Sequence, residues 1–185
     1  VACYRGSESD VLDRYYQAAL PYLPDHVVRI TADCPLNHAE VVDFVVDAYM
    51  HSGLEYFSNS NNDPDFLEDG FDVEVFSFLA LETAWKNARL LSEREHVTPY
   101  IKNSGLFRCG WKKFNSDYKY KLSVDSPADF AAVSTIFNSF SPDHHFGMNA
   151  ILDLLARRPE ILLINRESII NAGYKKSLKN DREIE

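Results

Sequence analysis

The apolar positions divide this chain into short strands and amphipathic helices. Val11, Leu12, Tyr15, Ala18 and Ala19 recur at helical spacing and predict a helix from Ser7 to Leu20. Ser7 is its expected cap, Glu8 and Asp10 favour its amino end, and Pro21 and Pro24 stop it. His26 to Ile30 reads as a buried strand. A helix opened by Asn37 or His38 follows and runs to about Met50, with Val41, Val42, Phe44, Val45, Val46, Ala48 and Tyr49 crowding its inner side. Gly53 suits the left-handed residue that closes it. Leu54 to Ser58 is a second strand, and Asn59 to Gly70, rich in Asn and Asp and containing Pro64, is a long polar loop. Asp72 to Phe76 alternates, with Val73 and Val75 on one face and Asp72 and Glu74 on the other.

Phe78 to Leu91 is a predicted helix, and Ser92 with Glu95 forms a capping box for the next one, which includes His96 and Thr98 and meets Pro99 in an irregular turn. Phe107 to Phe114 and Tyr118 to Val124 are expected to pair antiparallel around Asn115-Ser116-Asp117. Pro127 begins a helix through Phe140, and a last helix from Gly147 to Arg157 precedes a less regular tail. There is no internal repeat and no low-complexity segment. The alternation predicts one α/β layered domain over residues 1–185, with a mostly parallel sheet and one antiparallel excursion.

Two stretches share a design that suggests chemistry. Val28-Arg29-Ile30-Thr31-Ala32-Asp33-Cys34-Pro35 and Leu122-Ser123-Val124-Asp125-Ser126-Pro127 each run from an apolar strand to an Asp and then a Pro. Open parallel sheets bind ligands beyond the carboxyl ends of their strands, and a carboxylate there is placed to hold a hard cation and, through it, a phosphate. The alternative for Asp125 is a cap on the helix entered through Pro127.

Five segments also resemble one family in order and spacing. They are Arg5 to Tyr16, Arg29 to Leu36, Asp69-Gly70-Phe71-Asp72-Val73-Glu74-Val75-Phe76, Glu93 to Ile101, and Val124-Asp125-Ser126-Pro127-Ala128-Asp129-Phe130. Together they resemble the spore coat polysaccharide biosynthesis protein F family, relatives of the CMP-KDO synthetases and acylneuraminate cytidylyltransferases. The resemblance implies a nucleotide-diphospho-sugar transferase fold, a Rossmann-like mixed sheet flanked by helices. It implies transfer of CMP from CTP to an acidic sugar with release of pyrophosphate, in surface-polysaccharide biosynthesis. It further implies Mg²⁺ held by Asp33 and Asp125, which act as the catalytic pair, and nucleotide contacts at Arg5, Gly6 and Ser7. Such proteins normally begin with a strand and a phosphate-wrapping loop; nothing of that kind precedes Val1, so either an amino-terminal truncation or a degenerate relative is expected. Related synthetases are commonly dimers, and a homodimer is the expectation. The competing readings are a non-catalytic nucleotide-sugar-binding or assembly subunit and a sugar transferase on the same fold.

Asp72 and Glu74 are expected to face the sugar, since two carboxylates on one strand face repel unless a cation or a hydroxyl-rich ligand lies between them. Glu95 and His96 join them as candidate substrate contacts because both sit in a matched segment. Asp13 and Arg14 read as an ion pair on the helix surface.

Composition narrows the partners. The 185 residues are 45% hydrophobic, enough for a real core, and the formal net charge of −9 argues against a nucleic-acid partner. Cys3, Cys34 and Cys109 show no paired spacing and predict neither disulfides nor a zinc site, which suits a reducing cytoplasm. No apolar run reaches the length of a membrane span.

Overall fold

The strand with the strictest alternation, β3 (Val73–Ser77), lies inside the sheet and organises it. In the computed structural model, described for residues 2–61, 68–115, 117–143 and 145–183, it pairs antiparallel with β1 (His26–Ile30) on one side and with β2 (Tyr56–Ser58) on the other. A short β4 (Cys109–Trp111) then runs parallel to β2, giving the order β1-β3-β2-β4. The sheet is mixed, as expected, but among the described residues two of its three pairings are antiparallel. The mostly parallel expectation is corrected accordingly. Pro64, Ser116 and His144 lie outside the described residues.

Among the described residues the expected hairpin of 107–124 does not form, because backbone groups there are satisfied by carboxylates. Glu68 accepts from the Phe114 and Asn115 amides (2.9 and 2.5 Å), and Asp69 from those of Leu122 and Ser123 (3.0 and 2.8 Å). A segment that meets its hydrogen-bond needs this way does not require a partner strand.

Helices cover both faces of the sheet. Val73 and Val75 point into a core built with α2 (Ala39–Ser52), α6 (Pro127–Phe140) and α7 (Met148–Arg157). Phe76 and Tyr56 point the other way, into a core with α1 (Val11–Ala19), α3 (Phe78–Asn87) and α5 (Pro99–Asn103). Among the described residues no helix is long and apolar enough to cross a membrane.

Several boundaries differ from the pattern for identifiable reasons. Helix α1 starts later than expected because Asp10, not Ser7, caps it by accepting from the Asp13 amide at 2.9 Å. The same Asp10 carboxylate takes two hydrogen bonds from Arg94 (3.0 and 2.6 Å), which tie α1 to α4 (Leu91–His96). Helix α3 ends at Asn87, and α4 is an independent turn whose entry is capped by Glu93 accepting from the Leu90 amide at 3.0 Å. The Ser92–Glu95 capping box does not form: Ser92 bonds Asp181 instead (2.7 Å). Val97, at φ +70°, separates α4 from α5. The expected Asp13–Arg14 ion pair is likewise replaced, Asp13 accepting from the Trp85 indole at 2.8 Å. The tail contains a true helix, α8 (Ala172–Lys179), docked on α4.

Gly53 closes α2 at φ +66°, and a Cβ added there would meet nothing within 4 Å, in keeping with its position after the apolar stripe. Gly70 differs: at φ +94°, its Cβ would meet the Leu122 carbonyl carbon at 2.6 Å. Gly70→Ala should therefore cost about 2–4 kcal/mol from overpacking and backbone strain together. Gly53→Ala carries the strain alone and should cost about 1 kcal/mol. Urea denaturation of both variants tests this; equal losses would contradict the close approach at Gly70.

Candidate functional site

The carboxyl end of β1 opens onto a solvent-filled cleft. Its lining divides by charge. Asp33, Asp69, Asp72 and Asp125 supply the acidic side, Arg29 and Lys102 the cationic side, and His96 and Thr98 lie among the lining residues.

Asp33 follows β1 in a turn closed by the Cys34 amide donating to the Thr31 carbonyl at 3.2 Å. The Asp33 carbonyl accepts from the Val124 amide at 2.8 Å, so the two Asp-and-Pro segments are joined directly. Folding thus brings Asp33 and Asp125 to one cleft across the long sequence gap between them. The cap on α6 is Ser126, whose hydroxyl accepts from the Asp129 amide at 3.2 Å, so Asp125 is not that cap. Its Oδ2 instead accepts from buried Lys121 at 2.8 Å. The same ammonium donates to the Ser123 carbonyl and lies 3.4 Å from Asp129. Burial would raise the Asp129 carboxyl, but hydrogen bonds from Asn165 and Ser126, with Lys121 nearby, hold it at about 2.

Asp72 and Glu74 leave their shared backbone run with opposite electrostatics. Glu74 is buried and fully engaged: Arg29 forms an ion pair with it, Lys102 lies 3.5 Å away, and the Thr98 and Tyr56 hydroxyls each donate at 2.6 Å. Burial alone would raise its pKa; Arg29, Lys102 and the two hydroxyls prevail and hold it at about 2. Asp72 has no such cations among the described residues. It accepts from the Gly70 amide at 3.1 Å and contacts the Cys34 thiol at 3.9 Å. Burial, and then the neighbouring charge of Asp69, push its carboxyl up to about 7. The expectation that both carboxylates face a sugar is corrected for Glu74, whose oxygens are taken.

His96 is held from outside the cleft. Ser177 Oγ donates to Glu95 at 2.5 Å, so the ring must donate from Nε2 to that hydroxyl at 3.0 Å. Burial lowers the His96 pKa, favouring the neutral ring near neutral pH. Glu95 does not line the cleft; it anchors Ser177. Arg5, Gly6 and Ser7 are exposed and do not line it either. They lie before a second hollow, lined by Tyr4, Arg14 and Tyr15, that meets the cleft at Arg29 and Thr31.

Arg29 and Lys102 escaped the sequence reading. Arg29 is the one charged side chain of its strand and is the register partner of Glu74, so opposite charges face each other across β1 and β3. Lys102 shows no comparable pattern; it arrives on α5, its ammonium 5.8 Å from the Tyr56 ring centre.

Among the described residues no three or more His, Cys, Asp or Glu side chains form a ready-made metal cage. Mg²⁺ does not need one: it takes one or two carboxylates and fills its shell with water and substrate phosphates. Asp33, joined to the Asp125 segment and without a cationic partner among the described residues, fits that requirement.

The ion pair at Glu74 sets a sign for acid sensitivity. A carboxyl at about 2 in the fold and 4.5 in the reference state stabilises the fold above pH 4.5 and loses that contribution as pH falls toward 2. Glu74→Gln should cost about 3–5 kcal/mol at pH 7, because the Arg29 charge stays buried without its partner. Thermal melts across pH should show that deficit narrowing below about pH 4; a deficit unchanged by pH would refute the assignment.

Comparison with known proteins places the chain in a family. Residues 1–132 match the cytidylyltransferase family. An uncharacterized protein of Methanocaldococcus jannaschii is 38% identical over 169 residues, covering 89% of this chain and 67% of its own length. The spore coat polysaccharide biosynthesis protein SpsF of Bacillus subtilis is 24% identical over 85% of this chain and 65% of its own. A solved cytidylyltransferase of Leptospira borgpetersenii superposes with a TM-score of 0.76 at 30% identity, over 86% of this chain and 67% of that one. The chain therefore spans about two thirds of the length of these relatives. With most of its length matched, and with an α/β fold shared with a solved member, the chain belongs to the cytidylyltransferase family of nucleotidyltransferases.

Proposed function

We propose that this protein transfers CMP from CTP to a hydroxyl of an acidic sugar, releasing pyrophosphate, in the biosynthesis of a surface polysaccharide. The observation that carries this reading is the two-sided cleft. Asp33 and Asp72, without cationic partners among the described residues, stand in the same cleft as a pair of cations only half neutralised, since Arg29 and Lys102 share the single charge of Glu74. One net positive charge on that side complements a sugar carboxylate, and the acidic side suits a metal–triphosphate. The name of the Bacillus subtilis relative supplies the polysaccharide context.

In the reaction the sugar oxygen bonds to the α-phosphorus as the bond from that phosphorus to the bridging oxygen breaks, and pyrophosphate leaves with the electron pair. Asp33 and Asp125 are the residues that would hold Mg²⁺, which when bound supplies charge neutralisation at the phosphates. Lys121 fixes the Asp125 carboxylate from behind. Asp72, whose carboxyl is poised at about 7, accepts the proton of the attacking hydroxyl. Arg29 and Lys102 orient the sugar carboxylate, and the neutral His96 ring, its Nε2 proton given to Ser177, adds no charge and leaves Nδ1 as an acceptor for a hydroxyl.

Full-length protein with CTP, Mg²⁺ and an acidic sugar should release pyrophosphate, and Asp33→Asn should reduce the rate by about 100-fold or more, the scale of a lost metal ligand in charge stabilisation. Titration calorimetry with CTP should show binding that depends on Mg²⁺. A protein that binds CTP without turnover would instead be a binding or assembly subunit, and one that consumes a CMP-sugar without making it a sugar transferase.

Asp72→Asn separates activity from stability. In the metal-free protein the raised carboxyl favours folding below its reference value of 3.8, and that contribution is lost as pH rises through about 7. The variant should therefore be more stable than wild type above pH 7, by roughly 1–2 kcal/mol after allowance for solvent screening. Its kcat should fall by about 10²–10⁴-fold. Loss of stability at pH 8 would overturn the assignment of Asp72 as an uncompensated acid.

A further inference from the structure

The far wall of the cleft comes from the tail. Asn171, Ala172, Gly173 and Tyr174 line it, although they lie about forty positions beyond the family match, which ends at residue 132. This segment is fixed. Asn171 takes the left-handed conformation (φ +56°) that turns the chain into α8. One turn later Ser177, buried, donates to Glu95 and accepts from His96, and the Tyr174 ring stands edge-on to the His96 ring with centroids 5.0 Å apart. Asp181 accepts from both the amide and the hydroxyl of Ser92, and the Arg182 carbonyl accepts from the Leu91 amide at 3.0 Å. Bonds at three levels of α4 therefore hold a wall that belongs to the cleft.

We propose that this wall reads the acceptor sugar: residues Asn171–Tyr174 are specificity-determining, and Ser177, clamped by Glu95 and His96, is the positioning residue that sets them. The inference rests on the nucleotidyl-transfer reading and deepens it. Charge is supplied by residues within the family match, Asp33, Arg29, Asp72, Lys102 and Asp125. Charge attracts any anionic sugar but does not tell one arrangement of hydroxyls from another; directional hydrogen bonds do that. The Asn171 amide, close in sequence to the Tyr174 ring, is a group of the required kind. Gly173 lies between them, and a Cβ there would have nothing within 4 Å, so a side chain can be added to the wall without disturbing its support.

The test follows steady-state kinetics of full-length protein with CTP and, separately, N-acetylneuraminate or 3-deoxy-D-manno-octulosonate. Ser177→Ala should raise KM for the acceptor by about 5–20-fold, the scale of losing hydrogen bonds to a charged group. KM for CTP should stay within twofold, and Ser177→Thr, which keeps the hydroxyl, should restore the wild-type value. Gly173→Leu should change the ratio of the two acceptors' kcat/KM while leaving the melting temperature unchanged. Equal rises in both KM values, or no change in acceptor KM, would overturn the proposal. If wild type turns over neither sugar, the nucleotidyl-transfer reading fails, and hydrogen exchange decides the wall by itself. Protection of amides 171–174 by either sugar but not by CTP alone supports it; absence of that protection refutes it.

Discussion

The ion pair between Arg29 and Glu74 is the constraint around which the cleft is built. It joins the first and third strands in register, and the Glu74 carboxylate also collects the Tyr56 hydroxyl from β2, the Thr98 hydroxyl, and Lys102 from α5. Removing both charges from water costs several kcal/mol per ion, and only a nearly complete set of hydrogen bonds offsets that cost. The set is nearly complete around Glu74, less so around Arg29, whose buried Nε has no partner among the described residues. The carboxylate thus fixes the place of two cations, and their surplus charge is what the cleft can offer an anion.

Carboxylates elsewhere in the chain divide into those that hold the fold and those that do not. Glu68 and Asp69 satisfy backbone amides where a sheet would otherwise have continued, and Asp129 is pinned by Asn165, Ser126 and Lys121. Asp33 and Asp72 have no comparable set among the described residues. Both line the cleft, and Asp72 is the one whose acidity is weakened toward neutrality. A fold that leaves a half-buried acid without a cation gives up stability there, a pattern expected where a ligand or a reacting proton completes the set.

Much of this was visible in the chain. The helical stripe of α2 and the alternation of β3 led to the right elements, because burial of one face dictates each pattern, and Pro127 marked the start of α6. Asp33 and Asp125 could be nominated from the recurrence of strand, Asp and Pro, and folding brings both to one cleft. The Arg29–Glu74 pair was hidden by the expectation of parallel strands. Read antiparallel, His26–Ile30 and Val73–Ser77 each carry a lone ionic residue, and these fall opposite one another. The tail was hidden for a different reason. Its contacts join Ser177 to Glu95 and His96 over more than eighty positions, and no local periodicity encodes such a meeting.

That long-range meeting also explains why Glu95 and His96 sit in a matched segment although only one of them faces the cleft. Both side chains converge on Ser177, their polar ends 3.9 Å apart, and of the two only His96 also lines the cavity. Ser177 couples the two, because its single proton goes to Glu95 and obliges the ring to donate. The His96 orientation, and through the edge contact the place of Tyr174, then depends on a hydroxyl outside the family match. The Arg29–Glu74 pair resides in strands and cannot lose one partner without leaving the other ion buried and unpaired. Recognition of shape, as proposed, resides in a helix held by a few hydrogen bonds, where substitution disturbs no buried ion pair. On that proposal, such a division lets one electrostatic framework serve different sugars.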